Sequence, residues 1–238
     1  WELTLSLEEP GLYWYYFEYN TPWSQEQVYK GAYSNGYIRI DPSYWQLTVY
    51  EKGYRTPDSL KGSTMYQIFP DRFFDSRIPK YHVPADRDMV TWFSEPRWRP
   101  DEHGRVWNND YFGGDLKGIE RKLPYIRNLG VTVIYLNPIF ESHTNHRYST
   151  ADYSKIDPLL GTEEDFRELC IRAHKFGIKI ILDGVFSHTG DDSVYFNKKG
   201  RYPTLGAYNS KESPYYPWYN FSEWPDHYDS WWGFDILP

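Results

Sequence analysis

"IKIILDGVFSHTG", residues 178–190, sets the frame for the chain. An apolar run rich in β-branched residues follows a glycine and stops at Asp183, and His188 comes five positions later. A short run of this kind, bounded by turn residues, reads as a buried strand. A carboxylate placed where the run ends emerges at the strand's C-terminal edge, the chemical face of parallel α/β folds.

Working outward, the preceding segment reads as a helix. Thr162 is its N-cap, Asp165 completes a capping box, and Gly177 closes it. Phe166, Leu169, Cys170, Ala173 and Phe176 are expected to line one face. Before it, "VTVIYLNPIF" (131–140) is a continuous apolar strand of the type buried on both faces. "LKGIERKLPYIRNLG" (116–130) carries Ile119, Leu123, Ile126 and Leu129 at helical spacing, with Gly130 as C-cap. Pro124 is expected to break that helix or start a second one. "TMYQIFP" (64–70) supplies a first strand. The order β–α–β–α–β requires a parallel sheet, because crossovers are right-handed. No glycine-rich phosphate loop follows the first strand, which argues against a nucleotide-binding sheet. Long insertions after strands one and three favour a TIM barrel. The expected fold is α/β: a partial (β/α)8 barrel of three strands with an inserted loop domain.

Residues 1–52 differ in period. "LTLSL" alternates, "GLYWYYFEY" is densely aromatic, and "YWQLTVYE" (44–51) is a further strand bounded by turn residues. The turn-rich link "KGYRTPDSLKGS" (52–63) is the expected boundary. The predicted organisation is part of a β-sandwich over 1–56, three βα units over 57–188, and a loop-rich insertion over 189–238.

The 238 residues carry a net charge of −7, with no basic stripe to grip nucleic acid or an anionic membrane. No apolar run approaches the ~18 residues that span a bilayer. The chain opens on Trp1, not Met, so a trimmed N-terminus is expected. A single cysteine, Cys170, excludes an internal disulfide framework and favours the cytoplasm over secretion. Aromatic residues make up 20%, with 24 Tyr and 11 Trp, at a mean hydropathy of −0.76. Such rings suit the apolar faces and polar rims of sugars, and equally suit an ordinary core.

Asp183 and His188 are the first candidate site residues. A parallel signal follows the second strand, where "NPIFESHTNHRYSTADY" (137–153) holds His143, His146 and Tyr148. Histidines so grouped can bind zinc, but "SHTNH" lacks HExxH spacing and no second cysteine is present. "DYFGGDLKG" (110–118) places Asp115 as a helix cap or as part of an oxygen-only Ca²⁺ site.

"MYQIFPDRFF" (65–74), the run 111–142, the run 145–190 and "WWGFDILP" (231–238) resemble the α-amylase family, glycoside hydrolase family 13. The likeness is greatest to its neopullulanase, cyclomaltodextrinase and pullulanase branch. Residues 1–52 are similar, more weakly, to the end of the starch-binding-type sandwich before the barrel. The resemblance implies a hydrolase of α-glucans (starch, pullulan, maltodextrins) acting with retention. In it, Asp183 supports the active-site network and His188 bonds the glucose held for cleavage. His146 and Tyr148 match a His-x-Tyr pair whose tyrosine stacks on that glucose. The nucleophile and acid are expected at the ends of barrel strands four and five, beyond Pro238, so that the chain alone is expected to be inactive. The resemblance also implies calcium held by a loop after the first strand together with the Gly-Asp before the helix, here Asp75, Gly113 and Asp115. The expected Asn-rich spacing is not reproduced, however, and Ser187 stands where the family has an asparagine. Dimers are common in this branch. The alternative reading is a non-catalytic carbohydrate-binding or assembly module of the same descent.

Overall fold

The computed structural model describes residues 2–38 and 43–238. It forms two compact units, Trp1–Lys61 and Gly62–Pro238, which divide inside the turn-rich link.

The first unit holds two small antiparallel sheets. Strands β1 (Gly11–Tyr15), β2 (Phe17–Asn20), β3 (Gln25–Lys30), β4 (Gly36–Ile38) and β5 (Trp45–Val49) pair as β1–β5 and as β2–β3–β4. Rings hold the unit together: Tyr15 stacks on Trp45 at 5.7 Å, and Phe17 meets the same indole edge-on at 5.2 Å. "LTLSL" does not form the expected strand. Leu3 and Leu5 are 76% and 64% exposed, so its alternating pattern has no apolar face to cover.

The second unit is built on a three-stranded parallel sheet. Strand β6 (Met65–Ile68) is followed by two short strands, β7 (Asp88–Met89) and β8 (Asp110–Tyr111), which pair with each other. Then come helix α1 (Leu116–Asn128), strand β9 (Val133–Leu136) and the hairpin β10 (Phe140–Ser142) and β11 (Thr150–Ile156). Helix α2 (Glu163–Lys175) leads into β12 (Lys179–Leu182). The sheet order is β12–β9–β6, and Ile68, Leu136 and Leu182 lie level at its C-terminal edge. The insertion ends in a small hairpin, β13 (Phe221–Glu223) and β14 (His227–Tyr228). Among the described residues, no helix is long and apolar enough to cross a membrane.

The core lies between the sheet and its helices. Leu116, Ile119, Leu123 and Ile126 of α1 and Leu169 and Ala173 of α2 are fully buried with Ile134 and Leu136. Each such large aliphatic side chain contributes about 1.5–3 kcal/mol. That burial explains why α1 runs unbroken through Pro124, contrary to the expected break. The pyrrolidine ring sits on the exposed face of the helix, so no buried apolar contact is given up to it. Leu129 of the predicted apolar face lies outside the helix and is 51% exposed. Helix α2 has both halves of its capping box, from Thr162 and Asp165. Gly130 and Gly177 take φ of +80° and +70° just past the two helices, a conformation that glycine enters at little cost. Glu120, nearly buried between the helices, accepts from Lys117 and Arg172 and so ties α1 to α2.

Many of the abundant rings prove structural. In the insertion, Phe196 is fully buried beneath Tyr208, Tyr219, Phe221 and Tyr228.

Candidate active site

Two neighbouring strand ends build the site. The ladder continues past β12, where the Asp183 N–H donates to the Leu136 carbonyl at 3.1 Å. Leu182 packs toward the helices, so the period of two turns Asp183 to the opposite face of the sheet. Tyr135 of β9 shares that face, where burial and the nearby Asp183 carboxylate raise its phenol.

The loop 143–149, between β10 and β11, brings the remaining groups. Its conformation depends on Arg147, which adopts φ +62° and is 1% exposed. The guanidinium bonds the Asn145 carbonyl at 2.8 Å and pairs with the fully buried Asp157 at 3.2 Å. It also lies 5.5 Å from the Tyr111 ring. With Arg147 turned inward, the flanking His146 and Tyr148 remain partly accessible, their rings 5.8 Å apart. The Tyr148 phenol donates to Asp183 Oδ2 at 2.9 Å. The His188 Nε2–H donates to the Tyr148 carbonyl at 3.1 Å, and its Nδ1 faces the Ser187 hydroxyl at 3.1 Å. All four residues expected to hold sugar therefore meet in one network.

The protonation states follow from these surroundings. Burial, with the Asp183 carboxylate beside it, pushes the Tyr148 phenol up to about 12, so it stays an O–H donor. Burial, with His143 and Arg147 nearby, lowers His146 to about 4, so it is neutral at ordinary pH. Its Nδ1 accepts the Tyr148 N–H at 3.0 Å, which leaves the proton on Nε2. Burial also lowers His188, against a smaller opposing pull from the Tyr148 carbonyl.

Sequence reasoning missed three contributors: Tyr135, Arg147 and Trp231. The Trp231 indole stacks on His188 at 5.2 Å and 27°. It is delivered there by backbone pairing of 189–191 with 236–238, seen in Thr189 N–H to Pro238 O and Asp191 N–H to Ile236 O, both 3.0 Å. A strand period would have placed Tyr135 on the Asp183 face. Nothing local marks Trp231 or the inward turn of Arg147. Beyond His188 lies a cavity of about 590 Å³ lined by Tyr153, Phe186, Tyr195, Trp218 and Tyr219, but by neither Tyr148 nor Asp183.

The two histidines suspected of binding zinc do not share a site. His143 Nδ1 pairs with Asp192 at 2.8 Å, and His146 is committed as described. His143, Asp191 and Asp192 do form a group with ligand atoms within 4.8 Å, among the described residues. Lys199, 3.0 Å from Asp191, and Arg201, 3.4 Å from Asp192, already balance it. Asp75, Gly113 and Asp115 are brought together as the calcium expectation requires. Lys80 donates into their midst, however, and the donor set as it stands does not fit a calcium ion.

Residues 67–234 match the catalytic-domain model of α-amylase. The chain is 43% identical over 262 residues to the amylopullulanase of Thermoanaerobacterium saccharolyticum, covering all of this chain and 20% of that protein. It is 36% identical over 208 residues to neopullulanase 2 of Thermoactinomyces vulgaris, covering 86% of this chain and 30% of that protein. A solved structure of the cyclic α-maltosyl-(1→6)-maltose hydrolase of Arthrobacter globiformis with maltose superposes with a TM-score of 0.63 at 36% identity, covering 76% of this chain and 38% of that one. The type III pullulan hydrolase of Thermococcus kodakarensis gives 0.61 at 29% identity, covering 90% and 39%. The chain thus spans about one fifth of the first of these relatives and under two fifths of the others. The match over residues 67–234, which covers most of the second unit and its parallel sheet, makes the chain a member of the α-amylase family, glycoside hydrolase family 13.

Proposed function

We propose that the protein carrying this chain hydrolyses α-glucosidic bonds of starch-like or pullulan-like glucans with retention, and that the chain supplies one wall of the pocket for a single glucosyl unit. The observation that carries this reading is the convergence of Tyr148, Asp183 and His188 through two hydrogen bonds, of 2.9 and 3.1 Å. The Tyr148 ring offers an apolar face to a sugar, and neutral His146, with its proton on Nε2, offers a donor. Asp183 accepts from the Tyr148 phenol, and a carboxylate keeps further acceptor capacity for a sugar hydroxyl. Relatives that act on pullulan, and the maltose complex of a structural neighbour, support this substrate class.

Retaining hydrolysis needs two carboxylates ~5–5.5 Å apart. In this reading they belong to barrel strands other than β6, β9 and β12, and residues 1–61 belong to a starch-binding-type sandwich. The 238-residue chain alone then turns over no glucan. The full-length protein is to be assayed on pullulan, starch and cyclodextrins, with the released anomer followed by NMR. Release of reducing sugar in the α-configuration is expected. No release from any of the three rejects the reading.

A further inference from the structure

The turn before α1 is a cradle of oxygen atoms with a lysine in it. The Lys80 Nζ donates to the Gly113 carbonyl at 2.9 Å and to Asp115 Oδ2 at 2.6 Å, and its side chain is only 13% exposed. The Ser76 hydroxyl donates to the same Asp115 oxygen at 2.6 Å, while Asp115 Oδ1 caps α1 by accepting the Gly118 N–H at 2.6 Å. The Asp75 carboxylate borders the cradle, 3.9 Å from where a Cβ on Gly113 would stand. A Ca²⁺ ion needs six to eight oxygens at 2.3–2.6 Å, whereas an ammonium is satisfied by three acceptors and brings its own tether.

We propose that the Lys80 ammonium is a built-in substitute for a divalent cation. It binds the segment after β6 to the head of α1 by charge and hydrogen bonds from within the chain. The corner therefore takes up no calcium while Lys80 is present, and removing the ammonium converts it into a cation site lined by the Gly113 carbonyl, Asp115 and Asp75.

The test uses the full-length protein as wild type, Lys80→Met and Lys80→Gln. Bound calcium is counted after desalting, and Tm is measured in chelator and in millimolar Ca²⁺. Each variant is expected to bind one more Ca²⁺ per chain than wild type, to melt earlier than wild type in chelator, and to regain part of that loss with Ca²⁺. Equal ion counts in wild type and the variants overturn the proposal. Wild-type crystals soaked in Tb³⁺ give a readout that needs no variant. No anomalous peak is expected at the Gly113 carbonyl, and a peak there with Lys80 displaced overturns the proposal.

Discussion

The Tyr148 phenol donates a 2.9 Å hydrogen bond to Asp183, joining the excursion after β9 to the end of β12. Asp183→Asn keeps the shape of the side chain and removes the charge that the Tyr148 phenol addresses. Hydrogen bonds to a charged group contribute about 1.5–3 kcal/mol, so kcat/KM on maltodextrin is expected to fall about 10- to 150-fold. An unchanged kcat/KM would remove Asp183 from the site.

Tyr148 offers sugar both a ring and a hydroxyl. Tyr148→Phe is expected to lower kcat/KM about tenfold, the value of one hydrogen bond to a carboxylate. Tyr148→Ala should cost a further factor of about 2–10, because the aromatic face is lost as well. Equal losses in the two variants would show that the ring face contributes nothing.

His146 sets an acid limit on stability. Its folded value of about 4 lies below the ordinary histidine value of 6.5, so between these the unfolded chain binds more protons. Stability is unaffected by this group above pH 6.5 and falls as pH drops toward 4. The loss amounts to about 3 kcal/mol once both states are protonated. Denaturant midpoints measured from pH 7 to pH 4 should therefore slope less in His146→Gln, with a residual slope in the same direction from His188. Superimposable slopes would contradict the assignment.

Arg147 and Asp157 form a buried pair 1% and 0% exposed. Removing one member leaves an uncompensated charge, so Arg147→Ala and Asp157→Ala should each destabilise the protein by about 3–5 kcal/mol. The double variant should cost less than the sum of the two. Additive losses would show that the pair acts as two separate groups.

Helix α2 supplies a smaller, independent check on the fold. Thr162→Ala removes the acceptor for the Asp165 N–H and should cost about 1 kcal/mol by denaturant unfolding, with kcat/KM unchanged.

Legibility in the sequence followed the physics of each signal. Strands β9 and β12 and helix α2 were readable because apolar period, cap and terminal glycine all agreed. Asp183 was readable because a polar residue closing an apolar run has few other places to go, whereas His188 drew its role from its pairing with Asp183 and from the family resemblance. Pro124 misled because propensity is local, whereas the burial of Leu123 and Ile126 is a tertiary contribution that outweighs it. "LTLSL" misled for the converse reason, since alternation without a partner makes no strand. Lys80 and Trp231 were invisible, because each meets its target through a chain reversal that no spacing encodes.

The most direct test is a crystal structure of the full-length protein with bound maltotriose. A glucosyl ring is expected against the Tyr148 face, with hydroxyls hydrogen-bonded to Asp183 and to His146 or His188. Sugar bound elsewhere, with the Tyr148 face bare at saturating ligand, would contradict the account.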